Sequence, residues 1–173
     1  MIFLRHPQTD APDGLCYGRL EVGLGEGSAD QIRDALSTVP VVRNIVSSPA
    51  RRCTQLADRL AARGAMKIDL DPRLLEYNFG GWEGRYWSDI PRADSDLWMR
   101  DLWSNRPPGG EAYAEQHARV AQALSDVPKD AVVICHAGTI RAARMILLGE
   151  SFDQVFAEKI PFCEPITLQR LAA

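Results

Sequence analysis

Residues 130–149 read DAVVICHAGTIRAARMILLG, and their pattern sets the class of fold. Ala131 to Cys135 is an unbroken apolar run rich in β-branched residues, which suits a strand buried on both faces. His136 follows it. From Gly138 the sequence turns helical and runs to Gly149, the residue best suited to a left-handed C-terminal position. A strand that passes straight into a helix is the building unit of a parallel α/β sheet.

The same order recurs to either side. Met1 to Leu4 reads as a short buried strand, and residues 7–27 as a long loop rich in Gly, Pro and Asp. A loop of that length within a compact domain usually carries function. Ser28 to Thr38 is helical, with Ile32, Ala35 and Leu36 on one face. Residues 43–49 (RNIVSSP) give a second strand. Pro49 then suits the first turn of a helix with Ser48 as its N-cap, and Gly64 suits the C-cap. Lys67 to Asp71 is a strand, and residues 74–87 (LLEYNFGGWEGRYW) an aromatic, Gly-rich loop. Ser88 to Ser104 is helical with a break near Pro91. RPPGG (106–110) is a turn, residues 111–127 a helix, and residues 165–171 (PITLQRL) a closing strand. The expectation is a single domain, 1–173, of three-layer α/β/α form with a mainly parallel central sheet. Ligands bind such sheets at the carboxyl ends of the strands, where the strand order reverses.

Composition narrows the function classes. Twenty basic residues face 23 acidic ones, for a net charge of −3. This disfavours a nucleic-acid or anionic-membrane partner, which needs a basic surface. It leaves room for a small anionic substrate in a locally cationic pocket. No apolar run reaches the length of a membrane helix, and MIFL meets Arg5 and His6 too soon for a signal peptide. Cys16, Cys53, Cys135 and Cys163 have no metal-ligand spacing and read as reduced thiols of a cytoplasmic protein.

Three strands end on cationic or titratable groups. The first delivers Arg5 and His6, the second leads to Arg51 and Arg52, and the third delivers His136. Cations in the first turn of a helix oppose its dipole, so at least one of Arg51 and Arg52 needs an anion. A guanidinium matches phosphate bidentately, and helix starts offer free N–H groups. Arg5, Arg52 and that helix start therefore read as a phosphate pocket. Neutral imidazole is a competent nucleophile toward phosphorus, and a nearby carboxyl would protonate the leaving oxygen. His117, the third histidine, reads as a solvated residue on a helix face.

Five segments together resemble the histidine phosphatase superfamily, also called the phosphoglycerate mutase-like or RHG family: LRHPQT, SSPARRC, LLEYNFGGWEG, PPGGEA and CHAGTIR. The resemblance spans nearly the whole chain and implies a phosphoglycerate mutase-like fold. It implies His6 as the nucleophile that becomes phosphohistidine, Arg5, Arg52 and His136 as ligands of the phosphoryl oxygens, and Glu76 as the acid and then base. Thr9 stands where the family often has a hydroxyl near the phosphate. Pro7 stands where the family usually has glycine, so residue 7 has no N–H to give a phosphate. The segment GLCYGRLEVGL further resembles the CYGR segment of α-ribazole phosphatases, with Tyr17, Arg19 and Trp82 as candidates for framing a nucleoside. The resemblance implies a small phosphate ester as partner, no cofactor and no metal. A broad-specificity phosphatase or a mutase-like enzyme on another ester is the alternative.

Two rivals differ in kind. Cys135 and Arg141 have the C-x5-R spacing of cysteine-dependent phosphatases, whose loop N–H groups cradle phosphate. That reading leaves Arg5, His6 and Arg52 without a role. In an extended chain Cys135 and His136 also face opposite sides, so only one faces the pocket. The other rival is a non-catalytic phosphate-binding module, since fold does not fix function.

Overall fold

A computed structural model describes residues 1–64 and 66–169 of the chain. In chain order the elements are β1 (Ile2–Arg5), α1 (Ser28–Thr38), β2 (Asn44–Ser47), α2 (Arg51–Ala61), β3 (Lys67–Leu70), α3 (Arg92–Arg100), α4 (Tyr113–Asp126), β4 (Val132–Cys135), α5 (Ala137–Leu148), α6 (Phe152–Ala157) and β5 (Ile166–Thr167). Short 3-10 turns lie at Pro72–Leu74, Gly80–Trp82 and Trp87–Asp89. The strands form one five-stranded sheet in the order β3-β2-β4-β1-β5. Strands β1 to β4 pair in parallel, and β5 runs antiparallel to β1 at the edge.

Side chains alternate across this sheet as the pleat requires. Phe3, Val46, Val133 and Cys135 point to one face and pack with Val120, Ala123, Ile140 and Ala143 of α4 and α5. Leu4, Ile45, Val132 and Ile134 point to the other and pack with Ala35, Cys53, Leu56 and Leu60 of α1 and α2. The central strand β4 is therefore covered on both sides, which is why its sequence carries no polar alternation. This is the three-layer, mainly parallel architecture that the strand–helix alternation predicts.

Some boundaries differ from the sequence expectation. Helix α2 starts at Arg51 behind Ala50, stops at Ala61, and takes neither Ser48 nor Gly64 as a cap residue. The Ser48 hydroxyl is instead committed to His136. In the region 88–104 the expected break falls at Pro91, since the residue ahead of a proline disfavours helical backbone, but the helix after it, α3, stops at Arg100 rather than Ser104 and only the 3-10 turn Trp87–Asp89 precedes it. The closing strand covers only Ile166–Thr167, and the Arg170 and Leu171 expected in it lie outside the described residues.

Register sets up the site. Arg5 pairs with Cys135 across β1–β4, and Ser47 with Ile134 across β2–β4. One residue further, His6 N–H donates to the Cys135 carbonyl at 3.0 Å and Ser48 N–H to the Ile134 carbonyl at 2.9 Å. His6, His136 and Ser48 thus leave the sheet abreast. The chain departs from β1 towards α1 on one face and from β4 directly into α5 on the other, and the candidate functional groups lie between these departures.

Candidate active site

His6 and His136 face each other with ring centroids 5.2 Å apart. Both are almost wholly buried. His6 Nδ1 lies 2.8 Å from the Pro7 carbonyl oxygen. A carbonyl only accepts, so Nδ1 carries the proton and Nε2 keeps its lone pair. Burial, against the opposing pull of the Pro7 carbonyl and with help from Arg52 and Arg5, lowers the His6 pKa to about 3. Pro7 therefore costs the loop an N–H but keeps the carbonyl that fixes the histidine tautomer.

Arg52 is 1 % exposed and lies beneath this pair. Its guanidinium donates to the carbonyls of Gly18 at 2.6 Å and Leu20 at 3.0 Å, and Nη2 stands 3.3 Å from Nδ1 of His136. Its Nε is buried without a partner, as is Nε of Arg5. Arg5 donates to the Ile160 carbonyl at 2.8 Å and stacks 3.7 Å over the Phe162 ring. Burial lowers the Arg5 pKa, while Tyr17 and Glu76 nearby favour its charge. The Nε atoms of Arg5 and Arg52 are thus two buried donors without an acceptor in a cluster that also holds His6 and His136.

The start of α2, expected to take part in phosphate binding, is already occupied. Arg51 N–H donates to both Glu21 carboxylate oxygens at 3.2 Å. The same logic recurs at α5, where Glu76 Oε2 accepts from Gly138 N–H at 3.1 Å. Each carboxylate supplies the negative charge that a helix start favours.

Glu76 is held from several sides. Its Oε1 accepts from Tyr77 N–H at 2.9 Å and from the Gln116 amide at 3.2 Å. Its main-chain carbonyl accepts from Arg19 Nε at 3.1 Å and Arg119 Nη2 at 3.0 Å. Arg119 also donates to the carbonyls of Arg73 and Leu75 and to both oxygens of Glu111. Glu111 in turn accepts from Asn78 N–H, and Glu83 accepts from the N–H groups of Arg19 and Phe79. The acidic residues of the FGGWEG and PGGE segments are thus staples for the loop that presents Glu76.

Two clefts flank Glu76. One, of about 150 Å³, is lined by Cys16, Tyr17, Gly18, Phe79 and Trp87. The other, of about 130 Å³, is lined by Phe79, Trp98, Tyr113, Gln116, Arg141 and Phe156 among others. Tyr17 reaches the site, its ring 5.4 Å from the Arg52 guanidinium carbon.

Arg19 and Trp82, expected to frame a substrate, are placed otherwise. The Arg19 guanidinium is spent on Glu76 and Glu111. Trp82 is 3 % exposed and packs with Cys16 and Ile90 against Trp98. Thr9 bridges its backbone to Leu24 and lines neither cleft. His117 is not a solvated residue, since it is half-buried beside the Trp103 ring at 5.3 Å, and this burial lowers its pKa.

The cysteine reading fails on placement. Cys135 points into the apolar core with Phe3 and Val133, and burial raises its pKa well above the usual thiol value. Arg141 reaches instead to the carbonyls of Val155 and Glu158.

The profile of the histidine phosphatase superfamily (branch 1) matches residues 1–170. The chain belongs to this superfamily. Among relatives, a bifunctional protein of Mycobacterium tuberculosis is 30% identical over 145 residues, covering 80% of this chain but 38% of that protein. The chain thus spans little more than a third of that relative's length. Glucosyl-3-phosphoglycerate phosphatase of M. tuberculosis is 30% identical over 171 residues, covering 86% of this chain and 74% of that protein. A structure of the mycobacterial glucosyl-3-phosphoglycerate phosphatase with VO3 aligns with TM-score 0.72 and 30% identity, over 91% of this chain and 85% of that one. The α-ribazole phosphatase of Shigella flexneri shares the fold at TM-score 0.84 and 20% identity, over 94% of this chain and 86% of that one.

The structure brings His6, His136, Arg5, Arg52 and Glu76 together, and with them Gln116, Arg119 and Tyr113, which no motif of the sequence marks. Gln116 had a readable signal. With Tyr113, Val120 and Ala123 it lies on the buried face of α4, where a polar side chain needs a partner.

Proposed function

We propose that the chain is a phosphomonoester hydrolase that works through phosphohistidine at His6. The observation that carries this reading is the 2.8 Å contact of His6 Nδ1 with the Pro7 carbonyl, which leaves Nε2 free to attack on a ring that faces His136 among the charges of Arg5 and Arg52. In the proposed first step Nε2 attacks phosphorus in line, the ester P–O bond breaks, and Glu76 in its acid form gives its proton to the leaving oxygen. Arg5, Arg52 and His136 stabilise the non-bridging oxygens, whose charge such preorganised donors serve best. In the second step water attacks phosphorus, Glu76 takes its proton, and the P–N bond breaks to release phosphate. Every charge in this scheme is met by a side chain, so turnover is expected to survive EDTA.

The substrate proposed is α-ribazole 5′-phosphate. The CYGR segment supports it by resemblance, and Cys16, Tyr17 and Gly18 of that segment line a cleft on Glu76. The aromatic walls of both clefts suit a flat apolar leaving group better than a bare sugar acid. A second reading takes a phosphoglycerate-type ester, favoured by the 30% identity to the mycobacterial enzyme and by the cationic Arg141 at the second cleft.

The test is phosphate release from α-ribazole 5′-phosphate, glucosyl-3-phosphoglycerate, 3-phosphoglycerate and p-nitrophenyl phosphate, with acid-labile protein phosphate measured in parallel. A kcat/KM of about 10⁴ M⁻¹s⁻¹ or more on the ribazole ester, well above the others, is expected. Preference for either glycerate ester would replace the substrate. Turnover retained in His6→Ala would overturn the mechanism.

A further inference from the structure

The cleft lined by Tyr113, Gln116 and Arg141 is walled mostly by aromatic rings, and two polar atoms of its lining residues have no hydrogen-bond partner. Tyr113 is 4 % exposed and Gln116 is 0 % exposed. The Tyr113 hydroxyl is buried with no hydrogen-bond partner. Gln116 spends its amide N–H on Glu76, which leaves its Oε1 buried with none. A buried polar group without a partner is costly, and a native pocket holding two of them is built for something that supplies the bonds.

Their placement says what that is. Both residues lie on the same face of α4, three positions apart, and line the cleft together with Glu76 and Gly138. The walls there are the rings of Tyr77, Phe79, Trp98 and Phe156. At about 130 Å³ the cleft is smaller than a site for a whole drug-sized ligand, so it takes one part of a substrate. Gln116 Oε1 can only accept, so its missing partner is a donor such as a hydroxyl. The Tyr113 hydroxyl both donates and accepts and matches a second hydroxyl.

We propose that Tyr113 and Gln116 form a hydroxyl-reading subsite for the leaving group, selecting a ribose whose aromatic base lies on the rings around it. Arg141, held by the Val155 and Glu158 carbonyls and set over the Phe156 ring at 4.9 Å, lines the same cleft. The ligand's identity rests on the proposed ribazole reading, while the two unpartnered polar atoms do not. A site built to bond a hydroxyl discriminates strongly against an analogue without it, because its own groups then stay unpaired.

Calorimetry with phosphate-free ligands tests the subsite apart from the chemistry. The probes are α-ribazole and its free base, 5,6-dimethylbenzimidazole, titrated into the wild-type chain and Tyr113→Phe. The riboside is expected to bind the wild type at least tenfold tighter than the base, and Tyr113→Phe to narrow that gap about tenfold, the value of one hydrogen bond. Equal affinity for riboside and base, no binding of the riboside at millimolar concentration, or an equal loss on both in Tyr113→Phe would overturn the subsite. Phosphohistidine formed from p-nitrophenyl phosphate reports the catalytic reading separately. If it fails to form while the riboside still binds through Tyr113, the phosphatase reading falls and the subsite stands. If it forms and the riboside gap is absent, the reverse holds.

Discussion

Nε2 of His136 lies 2.8 Å from the Ser48 hydroxyl, while Nδ1 of the same ring faces Nη2 of Arg52 at 3.3 Å. A guanidinium can only donate, so Nδ1 accepts and Nε2 carries the proton that it gives to Ser48. The second serine of the SSP segment is thus the resting partner of the histidine that the proposed mechanism assigns to the phosphoryl group. Ser48→Ala strands a buried N–H and should cost about 1–3 kcal/mol of stability in the ligand-free protein. Phosphate or vanadate would offer that N–H a new acceptor. The increase in Tm on adding vanadate should therefore be larger in Ser48→Ala than in the wild type; an equal increase would show that His136 does not turn from Ser48 to the anion.

The histidines also set a pH dependence of stability. Burial holds His6 at about 3 and His136 well below its ordinary value of 6.5, each helped by neighbouring cations. Below pH 6.5 the unfolded chain binds protons that the folded chain refuses, so stability falls as pH falls. The contribution is complete above 6.5 and for His6 is used up near 3. Each group adds a slope of about 1.4 kcal/mol per pH unit within its window. Asp71, bonded to Arg73, has its pKa lowered as well, and it adds its loss only at lower pH, within the carboxylate range. Urea midpoints measured from about pH 7.5 to about pH 5 should drop in the wild type and drop less in His6→Asn. A flat midpoint over that range would mean that the histidines fold already protonated.

What could be read from the sequence and what could not divide along sequence distance. The strand ends were legible because an apolar run followed at once by His6 or His136 is a local pattern, and register then places both at one rim. The Glu76 scaffold was not. Arg119 sits 43 residues from Glu76 and eight from Glu111, and nothing near it marks a guanidinium turned inward to three carbonyls. Ser48 misled for a related reason. A serine ahead of a helix fits a cap, but a partner 88 residues away took its hydroxyl. Arg19 and Trp82 sit in loops whose sequence suits both binding and packing, and only the contacts decide between them.

Gly138 illustrates a glycine set by close approach rather than by backbone angle. A Cβ on it would collide with the Glu76 carboxylate and come within 3.0 Å of the Gln116 amide. Alanine is the better helix former by about 1 kcal/mol, so Gly138→Ala should not weaken α5 itself. It should push Glu76 off its seat. The expected result is a folded protein whose kcat falls at least tenfold more on an alkyl phosphate than on p-nitrophenyl phosphate, whose leaving group hardly needs a proton. Equal losses on both esters would separate Glu76 from the acid role.

The arginine and carboxylate staples behind Glu76 make the last prediction. Arg119 Nη2 and Glu111 Oε1 lie 2.7 Å apart, with side chains 16% and 12% exposed, so little water screens them. Removing one member of such a pair leaves the other charge buried and costs about 3–5 kcal/mol, whereas removing both relieves that penalty. Arg119→Gln and Glu111→Gln should each destabilise the fold by several kcal/mol. The double variant should lose less than the sum, with a coupling of about 1–3 kcal/mol in urea denaturation. Strict additivity would mean that the two charges are solvated separately. The kinetics should follow the geometry: Arg119 bonds the carbonyl of Glu76 itself, so Arg119→Gln should lower kcat as well as stability. Since Glu111 bonds Asn78 N–H, Glu111→Gln keeps an acceptor there and should lower kcat less.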